Sequence, residues 1–399
     1  MNISFGNGGI RSVNLEEKLT GCLNRAVEAG ELAGVNILVR KDGEDLCYAQ
    51  AGSADIAAGK PVARNSIFRL YSQSKPVTAV AAMILIERGM LDPQEGVDRY
   101  LPGFANGKVF DAEGRLIPET RAPWIMELLD MTVGLSYPGD DPAGRAAAEV
   151  FERDEQLIRE GRGMDTVTFC NELGRCPRAF QPGTHWRYST CADILAAVIE
   201  VASGRKYSDF LREEIFEPLG MKDTGFWVPP EKADRLVTCY RRAEHGLEPW
   251  ANSLRLAVGK YDAPPAYEAG GAGLVSTVDD YAAFAQMLLN GGVYNGRRIL
   301  SEATVRYMTA PQLNAVVRRD MWDSLSGYNY GHLLRICDEP GALPLIGAKN
   351  EYGWDGWLGT YFINLPDQQI TILCFQNTCD TGTTPVVRRC RSIIGAELL

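Results

Sequence analysis

Histidine is scarce in this chain, with only His185, His245 and His332 among 399 residues. No G-x-S-x-G nucleophile elbow occurs; the nearest approach, Gly134-Leu135-Ser136-Tyr137-Pro138, fails at its last position. A Ser-His-Asp hydrolase is therefore not expected. P-loop and G-x-G-x-x-G patterns are missing too, which removes the usual phosphate cradles. The ten cysteines, scattered from Cys22 to Cys390, form no C-x-x-C pair and have no histidine at ligand spacing. No metal and no cofactor is expected, and in a chain this long such cysteines read as free thiols. No apolar run approaches the roughly 20 residues of a membrane span, and the opening MNISFGNGGIRS lacks a basic start followed by an apolar stretch. A soluble, cytoplasmic protein without a membrane partner is expected. Positive charge is short as well: 41 Lys and Arg stand against 51 Asp and Glu, a net charge of −10. Nucleic-acid affinity rests on cations that neutralise phosphates, so no nucleic-acid partner is expected.

What remains is an ordinary globular composition, 45% hydrophobic and 23% charged. From Asn14 to Ala29, Leu15, Leu19, Leu23 and Val27 recur at helical spacing. The β-rich runs GVNILVR and EDLCYAQAG flank Lys41-Asp42-Gly43, a hairpin signal. GTYFINL and QITILCFQN form a second such pair around Pro366-Asp367, and a helix from Pro385 closes the chain. Between these ends, helical patterns such as AAAEVFERDEQLIREG and CADILAAVIEVASG dominate. The expected class is α+β: an antiparallel sheet made from both ends, flanked by the terminal helices, with a mostly helical inserted region. The expected divisions are residues 1–80, 81–270 and 271–399, the first and last forming one α/β unit.

The stretch FRLYSQSKPV, Phe68 to Val77, places Ser72 three residues before Lys75, just ahead of the apolar run Thr78 to Ile86. Residues three apart share a helix face, so the amine reaches the hydroxyl. Desolvation lowers an amine pKa and makes it a proton acceptor. A helix cap with a solvated lysine fits the same spacing. A second match, Ser203-Gly204-Arg205-Lys206, reads as the polar exit of a helix.

Six segments decide between these readings: FRLYSQSKPVTAVAAMILIERGML, MELLDMTVGLSYP, FQPGTHWRYSTCADILAAVIEVASG, IFEPLGMKDTGFWVP, GGAGLVSTVDDYAAFAQMLLNGG and GWDGWLGTYFINLPDQQITIL. In this order they resemble the serine β-lactamase and penicillin-binding-protein superfamily, particularly its class C-like branch and the related family VIII carboxylesterases. The resemblance implies a β-lactamase/DD-peptidase-like fold, with Ser72 as the acylated serine, Lys75 as its partner and Tyr188 as the tyrosine of a Tyr-x-Asn motif. It implies an oxyanion hole from the amides of Ser72 and Trp357, and a pocket that includes Tyr137, Thr190, Trp354, Gly356 and Trp357. Whether Lys75 or Tyr188 takes the first proton stays open, since such a pair titrates together.

Two positions depart from a penicillin-recognising pattern. Thr190 stands where Asn is usual, and Trp354 where a Lys would hold a substrate carboxylate. An uncharged, compact carboxylic ester is thus the expected substrate, hydrolysed through an acyl-serine. Transfer of the acyl group, cleavage of an amide or peptide, and weak β-lactamase action use the same residues; a non-catalytic binding protein on this fold is the alternative of another kind. Asp355 would burden an oxyanion if it faced inward, and strand alternation favours its pointing away, opposite to Trp354. Gly270, Gly271 and Gly273 read as a tight turn against the site, Asp140-Asp141 as a solvated loop, and His185 as a solvent-facing loop residue.

Overall fold

The computed structural model describes residues 8–250, 260–379 and 382–399. Its centre is an eight-stranded antiparallel sheet: β1 (Gly34–Lys41), β2 (Glu44–Asp55), β3 (Lys60–Pro61), β4 (Tyr328–Tyr330), β5 (Arg335–Cys337), β6 (Tyr352–Asp355), β7 (Tyr361–Leu365) and β8 (Ile370–Gln376). Their spatial order is β4-β5-β6-β7-β8-β1-β2-β3. β1 therefore lies between its hairpin partner and β8, a strand from the far end of the chain, in a register that sets Ile37 opposite Cys374. The first hairpin closes on Asp42 and Gly43, both at positive φ (51° and 84°) between paired Lys41 and Glu44. This is the two-residue turn whose twist matches that of the strands.

Alternation splits each central strand between two cores. Val35, Ile37 and Val39 of β1, Ile363 of β7 and Ile372 of β8 face helices α1 (Gly8–Glu28) and α7 (Pro385–Leu398), meeting Leu15, Leu19, Leu23, Val387 and Ile394. Leu38, Phe362, Leu373 and Phe375 face the other way, into the core of the helical region.

That region contains α2 (Lys75–Glu87), α3 (Pro142–Arg159), α4 (Thr166–Gly174), α5 (Cys191–Ser203) and α6 (Val278–Leu289). α2 is buried on every side from Lys75 to Leu85, as expected of a helix apolar all round. α5 packs beside it and ends on Gly204 in the left-handed conformation, so Ser203-Gly204-Arg205-Lys206 is a helix exit, with Lys206 paired to Glu268. Asp141 is more than a loop carboxylate: it caps α3 by accepting from the Gly144 amide and pairs with Arg187. Short strands also occur here, including the hairpin Tyr240–Ala243 and Gly246–Pro249. No helix among the described residues is long and apolar enough to cross a membrane.

Candidate active site

The chain enters the site along Phe68–Arg69, which pairs antiparallel with Val275–Ser276. Tyr71 then takes φ 46°, a conformation that costs a bulky side chain roughly 1 kcal/mol or more. A 3₁₀ turn over Tyr71–Ser74 follows and delivers the chain into α2. Ser72 does not cap that helix. Ser74 occupies the cap position, and its own hydroxyl accepts from the Leu274 amide (3.1 Å), pinning the turn. The Ser72 hydroxyl is left half-buried between Lys75 and Tyr188.

Lys75 has no exposed surface. Its Nζ lies 3.1 Å from Ser72 Oγ, 3.1 Å from Tyr137 Oη and 2.8 Å from the Gly271 carbonyl oxygen. Burial lowers its pKa to about 8, against the pull of Asp193. The lysine nitrogen also lies 4.7 Å from the centre of the Tyr188 ring. Burial pushes Tyr188 upward despite hydrogen bonds with Ser72 and Trp354, and it pushes Tyr137 upward too. The cluster thus reverses the order of ionisation in water: the amine gives up its proton well before either phenol.

Glycines bring a second segment to the same point. Gly271 lends its carbonyl to Lys75 and its amide to Asp193 (2.9 Å), while the Gly270 carbonyl accepts from Thr78 (2.7 Å). A Cβ on Gly270 would meet the Ala192 carbonyl at 2.5 Å. The turn accordingly packs against α5 and the lysine rather than forming a cradle.

The third segment is the end of β6. Gly356 makes a close approach: a Cβ there would sit 2.0 Å from the Leu70 carbonyl oxygen, to which Thr360 Oγ1 also donates (3.0 Å). This seats the Trp357 amide beside the Ser72 turn, and among the described residues neither of these two amides has an acceptor in the protein. Trp354 is buried; its indole N–H donates to Tyr188 Oη (3.2 Å). It fixes the phenol as well as walling the cavity. Trp357 is held edge-on between Tyr71 (5.6 Å between ring centres) and Trp250 (5.1 Å).

Ser72, Tyr137, Tyr188, Trp354, Gly356 and Trp357 all border one cavity of about 920 Å³, and Lys75 lies beneath it. Thr190 does not border it: it is fully buried at the start of α5, and its hydroxyl has no partner among the described residues. Asp355 is a mixed outcome. The register pairs Trp354 with Phe362 and Asp355 with Tyr361, so the two side chains leave opposite faces. Its carboxylate nevertheless reaches the cavity wall around the strand edge, where Arg335 (2.7 Å) and Thr383 (2.7 Å) hold it. Its negative charge is thereby compensated. His185 is exposed and meets Asp320 at 3.0 Å, outside the site.

Three residues escaped sequence reasoning. Asp193 is a carboxylate within the apolar CADILAAVIEVAS, Arg335 a cation within HLLRIC, and each such interruption signals a buried charge with a partner. Trp322, in a loop between the helical region and β4, carried no signal in its neighbours.

The β-lactamase family model matches residues 19–389. Protein Rv1367c of Mycobacterium tuberculosis is 31% identical over 369 residues, covering 90% of this chain and 88% of that protein. Esterase EstB of Burkholderia gladioli is 29% identical over 88% of this chain and 86% of its own. Among solved structures, EstCE1, described as a hydrolase with promiscuous acyltransferase activity, superposes with a TM-score of 0.80 at 24% identity, covering 97% of this chain and all of that one. With the fold, the Ser-x-x-Lys turn and a match over most of its length, the chain belongs to the β-lactamase family.

Proposed function

We propose that the protein is a serine hydrolase that cleaves carboxylic esters through an acyl-Ser72 intermediate. The observation that carries this is the set of contacts around Lys75 Nζ. A neutral amine has two N–H groups and one lone pair. The Gly271 carbonyl and Tyr137 Oη accept the two N–H groups, which leaves the lone pair for the Ser72 hydroxyl. Lys75 therefore takes the serine proton as Oγ attacks the ester carbonyl. The amides of Ser72 and Trp357 hold the oxyanion, each worth roughly 3 kcal/mol of barrier. Tyr188, still protonated, gives its proton to the leaving alkoxide, and the Lys75 ammonium, 4.7 Å from the centre of the Tyr188 ring, returns a proton to the phenolate. Water then attacks the acyl group by the same route in reverse, releasing the acid and restoring Ser72.

Trp354 stands where a penicillin-recognising site would place a lysine for the substrate carboxylate, and the esterase among the relatives supports an ester substrate. The described cysteines are free thiols, which supports a reducing, cytoplasmic setting. The test is hydrolysis of 4-nitrophenyl acetate and butyrate by the wild type and Ser72→Ala, with fluorophosphonate labelling read by mass spectrometry. Labelling at Ser72 and a loss of about a thousandfold or more in kcat are expected; a variant as fast as the wild type refutes the assignment.

A further inference from the structure

The cavity, about 920 Å³, is far larger than a compact ester needs. Beside Ser72, Trp357 is wedged between Tyr71 and Trp250. Next to Tyr188 stands Trp322, and the lining also includes Leu325, Tyr328, Pro344 and Leu345. Trp322 is the conspicuous member. It is 48% exposed, although a tryptophan is usually well buried, and its ring stands edge-on to Tyr188 at 5.0 Å and to Trp186 at 5.5 Å. Its loop is fastened on both sides. Asp320 accepts from the Trp186 amide (3.0 Å), Arg318 bonds Asp338 (2.9 Å), and Leu325 is buried. The indole is consequently held beside the tyrosine with about half of its surface open.

The chemistry sets which part of an ester meets that surface. The group that protonates the departing oxygen must touch it, so the alcohol portion lies against Tyr188 and extends along Trp322. We infer that Trp322 is a binding residue for the alcohol half of the substrate, and that the natural substrates are esters of a compact acid with a flat aromatic or comparably bulky apolar alcohol. This rests on the ester-hydrolase reading above and adds to it the direction in which specificity lies. Aromatic groups on such a platform gain from offset or edge contacts as well as from burial.

The experiment compares kcat/KM for 2-naphthylmethyl acetate and ethyl acetate, whose alcohols are both primary, in the wild type, Trp322→Ala and Trp322→Phe. The wild type is expected to favour the naphthyl ester at least about tenfold, Trp322→Ala to cut that ratio about tenfold, and Trp322→Phe to keep most of it. A ratio that Trp322→Ala leaves unchanged, or a wild type without preference, overturns the inference. If Ser72 still takes a fluorophosphonate and ethyl acetate is still cleaved, that failure leaves the ester-hydrolase reading standing. An enzyme that neither labels nor cleaves overturns both.

Discussion

A lysine that keeps its charge inside a protein needs compensation, and Lys75 has little: the nearest help is the Asp193 carboxylate, itself raised in pKa by burial. Its value of about 8 makes the amine the titrating group that governs attack by Ser72. Below this value the ammonium has no lone pair; above it the neutral base is present, so activity rises with pH. For a base of this pKa, about a tenth is neutral at pH 7. A profile of kcat/KM against pH for a stable ester is expected to climb with an apparent midpoint near 8. A flat profile over about pH 6 to 9 contradicts it. Contact between Ser72 and Lys75 was legible because a spacing of three fixes it within one helical turn. Tyr188 was joined to that pair through the family resemblance alone, and the placing of Tyr137 and Asp193 at the amine was not legible, since only tertiary packing brings them there. Thr190 went astray for a related reason. A polar residue beside a motif tyrosine carries no mark that tells a pocket wall from the buried first turn of a helix.

Among the elements, β6 has the narrowest tolerance. Its last residue leads into Gly356, whose missing side chain lets the strand end touch the nucleophile turn. Gly356→Ala would push a methyl group against the Leu70 carbonyl and shift the Trp357 amide away from Ser72. The expected result is a loss of roughly a hundredfold in kcat/KM, the scale of a 1 Å misplacement, together with a lower melting temperature by differential scanning calorimetry. Wild-type kinetics in that variant would show that the two segments are less tightly fitted. At this scale the sequence was most informative. Two β-rich runs around an Asp-Gly turn mark β1 and β2, and apolar residues four apart mark α1. Short strands such as Tyr240–Ala243 were harder to see, because four residues hold too few repeats to establish a period.

For the whole molecule, the junction of the last helix with the sheet depends on a buried charge network. Arg391 of α7 donates to Glu351 (2.6 Å) and to Tyr361, and Glu351 also accepts from Tyr328 (2.6 Å). Arg391→Met would strand the Glu351 carboxylate without its cation, at a cost of about 3–5 kcal/mol. Thermal unfolding should record a marked fall in the melting temperature, partly restored by adding Glu351→Gln; equal stability of the single variant and wild type would dismiss the network. Nothing in RRCRS distinguishes Arg391 from Arg388 and Arg389, because its partners lie 40 and 30 residues away and only the folded sheet gathers them. The architecture itself was readable, since both ends carry strand patterns and the middle carries helical ones. Its arrangement also imposes an order on synthesis. A ribosome releases β1 early, yet the strand that completes its hydrogen bonding, β8, emerges more than 300 residues later, with Ile37 waiting for Cys374. Until then the nascent chain displays an unpaired apolar edge, and the unfinished protein is more prone to aggregate than the finished one.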